Sequence, residues 1–132
     1  MYEDFKVIST YTRAQAIEDG TLVEVDPKLS KQAGFKWPIA ITSSVWGDYV
    51  EWAQEDTNKQ TYQDTTGRLW DILTMLMFAI RSAESGSALK FKLHCVPRDG
   101  NAKRAKLIEL IATVGPGDDA EPVITVMRKG EY

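Results

Sequence analysis

The sequence predicts an α+β fold, an antiparallel sheet packed by helices. Three observations lead there. Residues Ala88–Val96 alternate, with Leu89, Phe91, Leu93 and Cys95 on one face and Lys90, Lys92 and His94 on the other. That is the period of a strand with one wet side. Residues Gly67–Ala83 are apolar nearly all round, the pattern of a buried helix. Turn and cap residues divide the rest into short pieces, without a repeat, a low-complexity tract or a linker.

The elements follow in chain order. Thr12-Arg13-Ala14-Gln15 fits a capping box, and Gly20 closes the short helix it starts. Leu22–Val25 reads as a short strand. Asp26-Pro27 opens a second helix, with Asp26 as cap and Pro27 at the first helical position, and Gly34 stops it. Ile39–Thr42 is a second short strand. Ser43–Gln54 places Val45, Trp46, Tyr49, Trp52 and Ala53 on one helical face. Glu55–Thr66 is polar and reads as an exposed loop, with Thr65 or Thr66 capping the central buried helix 67–83. Ser85-Gly86-Ser87 ends that helix. After the strand over 88–96, Pro97–Lys103 with its Asp99-Gly100 is a hairpin turn. Arg104–Val114 is the return strand and Val123–Met127 a third. These three form an antiparallel meander, extended by the short N-terminal strands, with the helices on one face.

A chain of 132 residues with 43% apolar content fits one domain, 1–132, with an ordinary core. Its one cysteine, Cys95, excludes an internal disulfide and suits a reducing compartment. The opening MYEDFKVIST is acidic and lacks the apolar run of a signal peptide. The longest apolar-rich stretch, Leu69–Ile80, falls short of the ~20 residues that span a bilayer and contains Asp71 and Thr74. A cytoplasmic protein with no membrane partner is expected. Net charge is −3, which disfavours a strongly acidic nucleic-acid mimic. The charge is unevenly spread: residues 1–66 carry 6 Lys and Arg against 11 Asp and Glu, and residues 67–132 carry 10 against 8.

Several groupings could carry chemistry. Gly115-Pro116-Gly117-Asp118-Asp119-Ala120-Glu121-Pro122 repels a phosphate and lacks a P-loop lysine. Its carboxylates suit a hard cation, yet the spacing of a calcium loop is absent. A turn is expected instead, with its glycines at unusual φ and Pro122 opening an edge strand. His94 is the only histidine, and Cys95, one residue on, faces the opposite way, so the two form no dyad. Asp71 lies three residues after Arg68, where an ion pair is the expected reading and a buried carboxylate the alternative. Lys90, Lys92, Arg98, Lys103, Arg104 and Lys106 form a basic hairpin opposed only by Asp99. Such a ribbon can track phosphates, although no aromatic points outward with the lysines to stack bases. Trp46, Trp52 and Trp70 fall on apolar helical faces. Trp37 lies in a loop as a candidate partner contact, and Asp118 and Asp119 are further candidates.

The segments YTRAQAIEDG, AGFKWPIAIT, GRLWDILTMLMFAIR and GPGDDAEPVITVM resemble, in order and spacing, a family of small uncharacterised proteins of bacteria and their plasmids and phages. The resemblance implies an accessory gene of mobile DNA, of the kind that serves plasmid maintenance, transfer or evasion of host defence. It brings no activity and no site residues. The resulting expectation is a small non-enzymatic protein that acts through a protein partner, with neither a metal nor a cofactor. Two alternatives stand beside it: a nucleic-acid binder using 90–106, and an enzyme whose acids, Asp71, Asp118 and Asp119, converge in the fold.

Overall fold

The computed structural model describes residues 11–83 and 86–131. The opening residues 1–10 and the expected helix stop at Ser85 lie outside them. The first helix, α1 (Arg13–Glu18), has the capping box complete: Thr12 Oγ1 accepts from the Gln15 N–H, and Gln15 Oε1 accepts from the Thr12 N–H. Strand β1 (Leu22–Glu24) leads to α2 (Pro27–Gln32), capped by the Asp26 carboxylate on the Lys28 N–H. Gly34 follows at φ +98, and a Cβ there would press within 3.2 Å of Met77. The left-handed φ favours glycine here, and the close Met77 methyl adds a smaller constraint.

Strand β2 (Ile39–Thr42) runs into α3 (Ser43–Val45), which continues as a π-helical turn, Trp46–Val50. The expected helix to Gln54 stops here instead. The Glu51 N–H bonds back to the Trp46 carbonyl, and the carbonyls of Asp48 and Val50 are drawn to Arg68. Such departures from the i−4 ladder have an identifiable competing partner.

The expected loop at 55–66 instead begins with a helix, α4 (Gln54–Lys59). It has no apolar stripe for a periodicity search to find. Its support is local: Asp56 accepts from the Ala53 N–H at 2.8 Å, and acids in the first turn with Lys59 in the last match the helix dipole.

The long helix α5 (Thr65–Ser82) is capped by Asp64, whose carboxylate takes the Gly67 N–H, rather than by Thr65 or Thr66. The Thr65 hydroxyl bonds the Trp52 backbone. Leu69, Ile72, Leu73 and Leu76 are buried, but Trp70, Met75 and Phe78 are exposed. The helix is thus central and buried on one face, not all round. Trp70 belongs to the wet side.

Strands β3 (Ala88–Cys95), β4 (Lys106–Pro116) and β5 (Pro122–Met127) form the expected meander. The strand order is β1-β2-β5-β4-β3. All pairs are antiparallel except β2–β5, which is parallel, so the sheet is mixed. β5 is the middle strand, not an edge. Pro122 is tolerated because it sits at the strand's outer end, opposite Pro116.

One face of the sheet, with Ile39, Ile41, Phe91, Leu93, Leu110, Ala112, Ile124 and Val126, packs with α5 in a single core. α1 lies against the other face. The Arg13 guanidinium reaches Thr125 Oγ1 at 2.7 Å and the Ile124 carbonyl at 2.8 Å. Helices therefore occupy both faces, where one was expected.

Candidate functional site

The turn between β4 and β5 is closed by the Gly117 N–H on the Glu121 carbonyl. Its left-handed residue is Ala120 (φ 64), not either glycine. A Cβ at Gly117 would displace the Glu121 carboxylate, the movable end of a flexible side chain. Asp118 accepts from the N–H groups of Arg13 (2.8 Å) and Ala14 (3.0 Å). It thereby satisfies free donors at the start of α1 from 105 residues away in sequence. Among the described residues no three His, Cys, Asp or Glu side chains gather as metal ligands.

Asp71 is exposed on α5 near the Cys95 end of β3, and Asp118 lies beyond the opposite end of the β3–β4 ladder. The fold does not bring Asp71 to Asp118 or Asp119. Nor does Asp71 pair with Arg68.

Arg68 turns inward and is only 3% exposed. Its Nε donates to the Val50 carbonyl, Nη1 to Val96 (2.7 Å) and Gln63 Oε1, and Nη2 to the Asp48 carbonyl. The guanidinium stacks 4.4 Å from the Trp52 ring. Burial lowers its pKa, though a guanidinium stays charged in proteins. The side chain ties three chain segments together and leaves little donor capacity for a ligand. Cys95 is beside it, buried, with its thiol toward the Tyr49 carbonyl. Burial pushes that thiol up despite the nearby Arg68 charge, so it stays protonated and unreactive. His94 lies on the exposed face of β3.

The basic hairpin divides into two parts. Lys90, Lys92, Lys103, Arg104 and Lys106 are exposed. Arg98 is not free: its Nε donates to Asp56 at 2.7 Å and its Nη1 to Glu51 at 2.8 Å. Burial opposes its charge, but the two carboxylates outweigh it and raise its pKa. Buried Gln60 completes the dock, donating to the Pro97 and Ala102 carbonyls and accepting from the Gly100 N–H. Acids of the first half of the chain thus neutralise Arg98, while Lys103 of the same turn stays exposed.

An apolar concavity lies at the other end of α5. It is a groove of about 440 Å³ over the core face of the sheet. Leu89, Ala112, Val114 and Ile124 form its floor, and Met77 and Ile80 its roof. Lys36 and Trp37 stand at its side, with Trp37 44% exposed. The size suits a ligand pocket. The groove needs three strands and a helix in place, so only Trp37 marked it in the sequence.

No helix among the described residues is long and apolar enough to cross a membrane. No curated protein and no solved structure matches the chain. A family model described as a family of unknown function, DUF6573, matches residues 1–131, and the chain belongs to that family.

Proposed function

We propose that the protein is a small binding protein without catalytic activity, and that it acts by taking an apolar side chain of a protein partner into the groove beside Trp37. The single observation that supports this reading is the groove itself: about 440 Å³, apolar on floor and roof, with a large aromatic left 44% exposed beside it. Aromatic residues of that kind anchor interfaces. The titratable groups that a catalyst would use are dispersed or already committed. Arg68 and Arg98 are bonded, Asp118 caps a helix, and Cys95 is held protonated. The resemblance to proteins of plasmids and phages supports a bacterial mobile-element setting, with action in the cytoplasm and evasion of host defence as the proposed role.

The test is capture from a bacterial lysate on immobilised protein, with and without nuclease, comparing the natural chain with Trp37→Asp. The expected result is a protein retained in both nuclease conditions and lost with Trp37→Asp. Capture that vanishes with nuclease, or that Trp37→Asp leaves intact, would overturn the reading.

A further inference from the structure

The outer edge of β3 carries a second binding feature. Among the described residues, β3 pairs only with β4, so the backbone along its other side has no strand partner. It is eight residues long, whereas the opposite edge, β1, has three. A long unpaired edge is a template for another strand. Beside it runs a cleft of about 490 Å³, with Asp71, Thr74 and Met75 of α5 on one side and Lys92 and His94 on the other. Met75 and Phe78, farther along the same helix, are both exposed.

We infer that β3 accepts an extended segment of a protein partner as a sixth strand, and that this segment alternates acidic and apolar residues. The alternation follows from the edge. Lys90, Lys92 and His94 project to one face, and among the described residues neither lysine is in an ion pair. Cross-strand neighbours of opposite charge stabilise a sheet, and like charges destabilise it. Residues of the incoming strand on that face are therefore acidic. Residues on the other face meet the α5 side, where Met75 and Phe78 offer apolar surface. The same lysines select against a second copy of this chain: an antiparallel pair of β3 edges would set basic residues against basic residues. The edge charges thus act as a filter as well as an attraction.

The inference rests on the reading of the protein as a partner-binding chain, but uses a surface separate from Trp37. The probe is a blocked peptide of alternating glutamate and valine, the length of β3, labelled for fluorescence anisotropy. Two controls accompany it: the same peptide N-methylated on alternate residues, and the lysine-valine counterpart. Binding is expected for the glutamate peptide alone, with slowed exchange of β3 amide hydrogens. Lys90→Glu/Lys92→Glu should weaken it by about tenfold or more, with the circular dichroism of the fold unchanged. Binding that survives N-methylation would reduce the effect to plain charge attraction and overturn strand addition. So would equal binding of the lysine peptide, or no binding at all. Displacement by an oligothymidylate that binds more tightly would assign the lysines to nucleic acid instead. A lysate partner lost with Trp37→Asp but kept by the lysine double variant would preserve the groove reading and remove this one.

Discussion

The two ends of α5 are finished in opposite ways. At its start, Arg68, Trp52 and Thr65, with Gln60 and Arg98 close by, form a polar dock in which backbone carbonyls and carboxylates are matched by donors. Near its end, Met77 and Ile80 roof an apolar groove that the described residues leave open. The first arrangement fixes the β3–β4 turn, the π-helical turn and α4 to one another. The second leaves apolar surface facing water, a cost to the free protein that a bound partner would relieve. Internal polar bonding and open apolar surface are thus divided between the ends of one helix.

The sharpest way to break this division is Arg68→Met. It leaves the carbonyls of Asp48, Val50 and Val96 without their buried donor, and the expected loss is about 3–5 kcal/mol in urea unfolding. A loss under about 1 kcal/mol would show that water replaces the guanidinium and that the dock is not structural. Leu73→Ala and Leu76→Ala, at fully buried positions midway between the ends, should each cost about 2–5 kcal/mol through lost burial and a residual cavity. Gln60→Leu removes bonds to three backbone groups of the hairpin turn. It should cost about 1–3 kcal/mol, with amide exchange accelerated first at 97–102.

The acid end of the pH profile tests the same dock. Burial disfavours the charge on Asp56, but the Ala53 N–H and the Arg98 guanidinium outweigh it and hold the carboxyl below its ordinary value. A carboxyl lowered in the folded state adds stability that is present above its unfolded pKa, about 3.9. That contribution disappears as pH falls through the lower, folded value. Asp56→Asn should therefore reduce stability near neutrality and flatten the acid limb of the melting profile. An unchanged limb would locate the acid sensitivity elsewhere. The smallest effect belongs to the open end. Trp37→Ala should shift stability by no more than about 0.5 kcal/mol, while it removes partner capture. A large destabilisation would make Trp37 part of the core rather than of a binding surface.

What the sequence showed was what neighbours in the chain decide. Thr12 and Asp26 cap where their spacing placed them, and β3 alternates as read. What it hid depends on distant partners. The polar run 54–59 is a helix because Asp56 serves its own first turn and then docks Arg98. Arg68, a charge on an apolar helix, invited a local ion pair with Asp71; the folded chain gives it carbonyls from 18, 20 and 28 residues away instead. The acids of the GDDAE segment suited a metal by composition, but one of them finds α1. An arginine on an otherwise apolar helix was the available hint of the dock. The groove had only Trp37.

The place of β5 has a consequence for how the molecule is made. β1 and β2 form one half of the sheet and β3 and β4 the other, and β5 alone joins them. It follows both halves in the chain, so on the ribosome each half exists before the strand that unites them. Until Pro122–Met127 leaves the exit tunnel, two open sheet edges, on β2 and β4, wait for the same insertion. Folding of the whole sheet is then a late, single closing event. A chain lacking residues 122–127 would lack the strand that joins β2 to β4, and two strand pairs left apart are at best marginally stable.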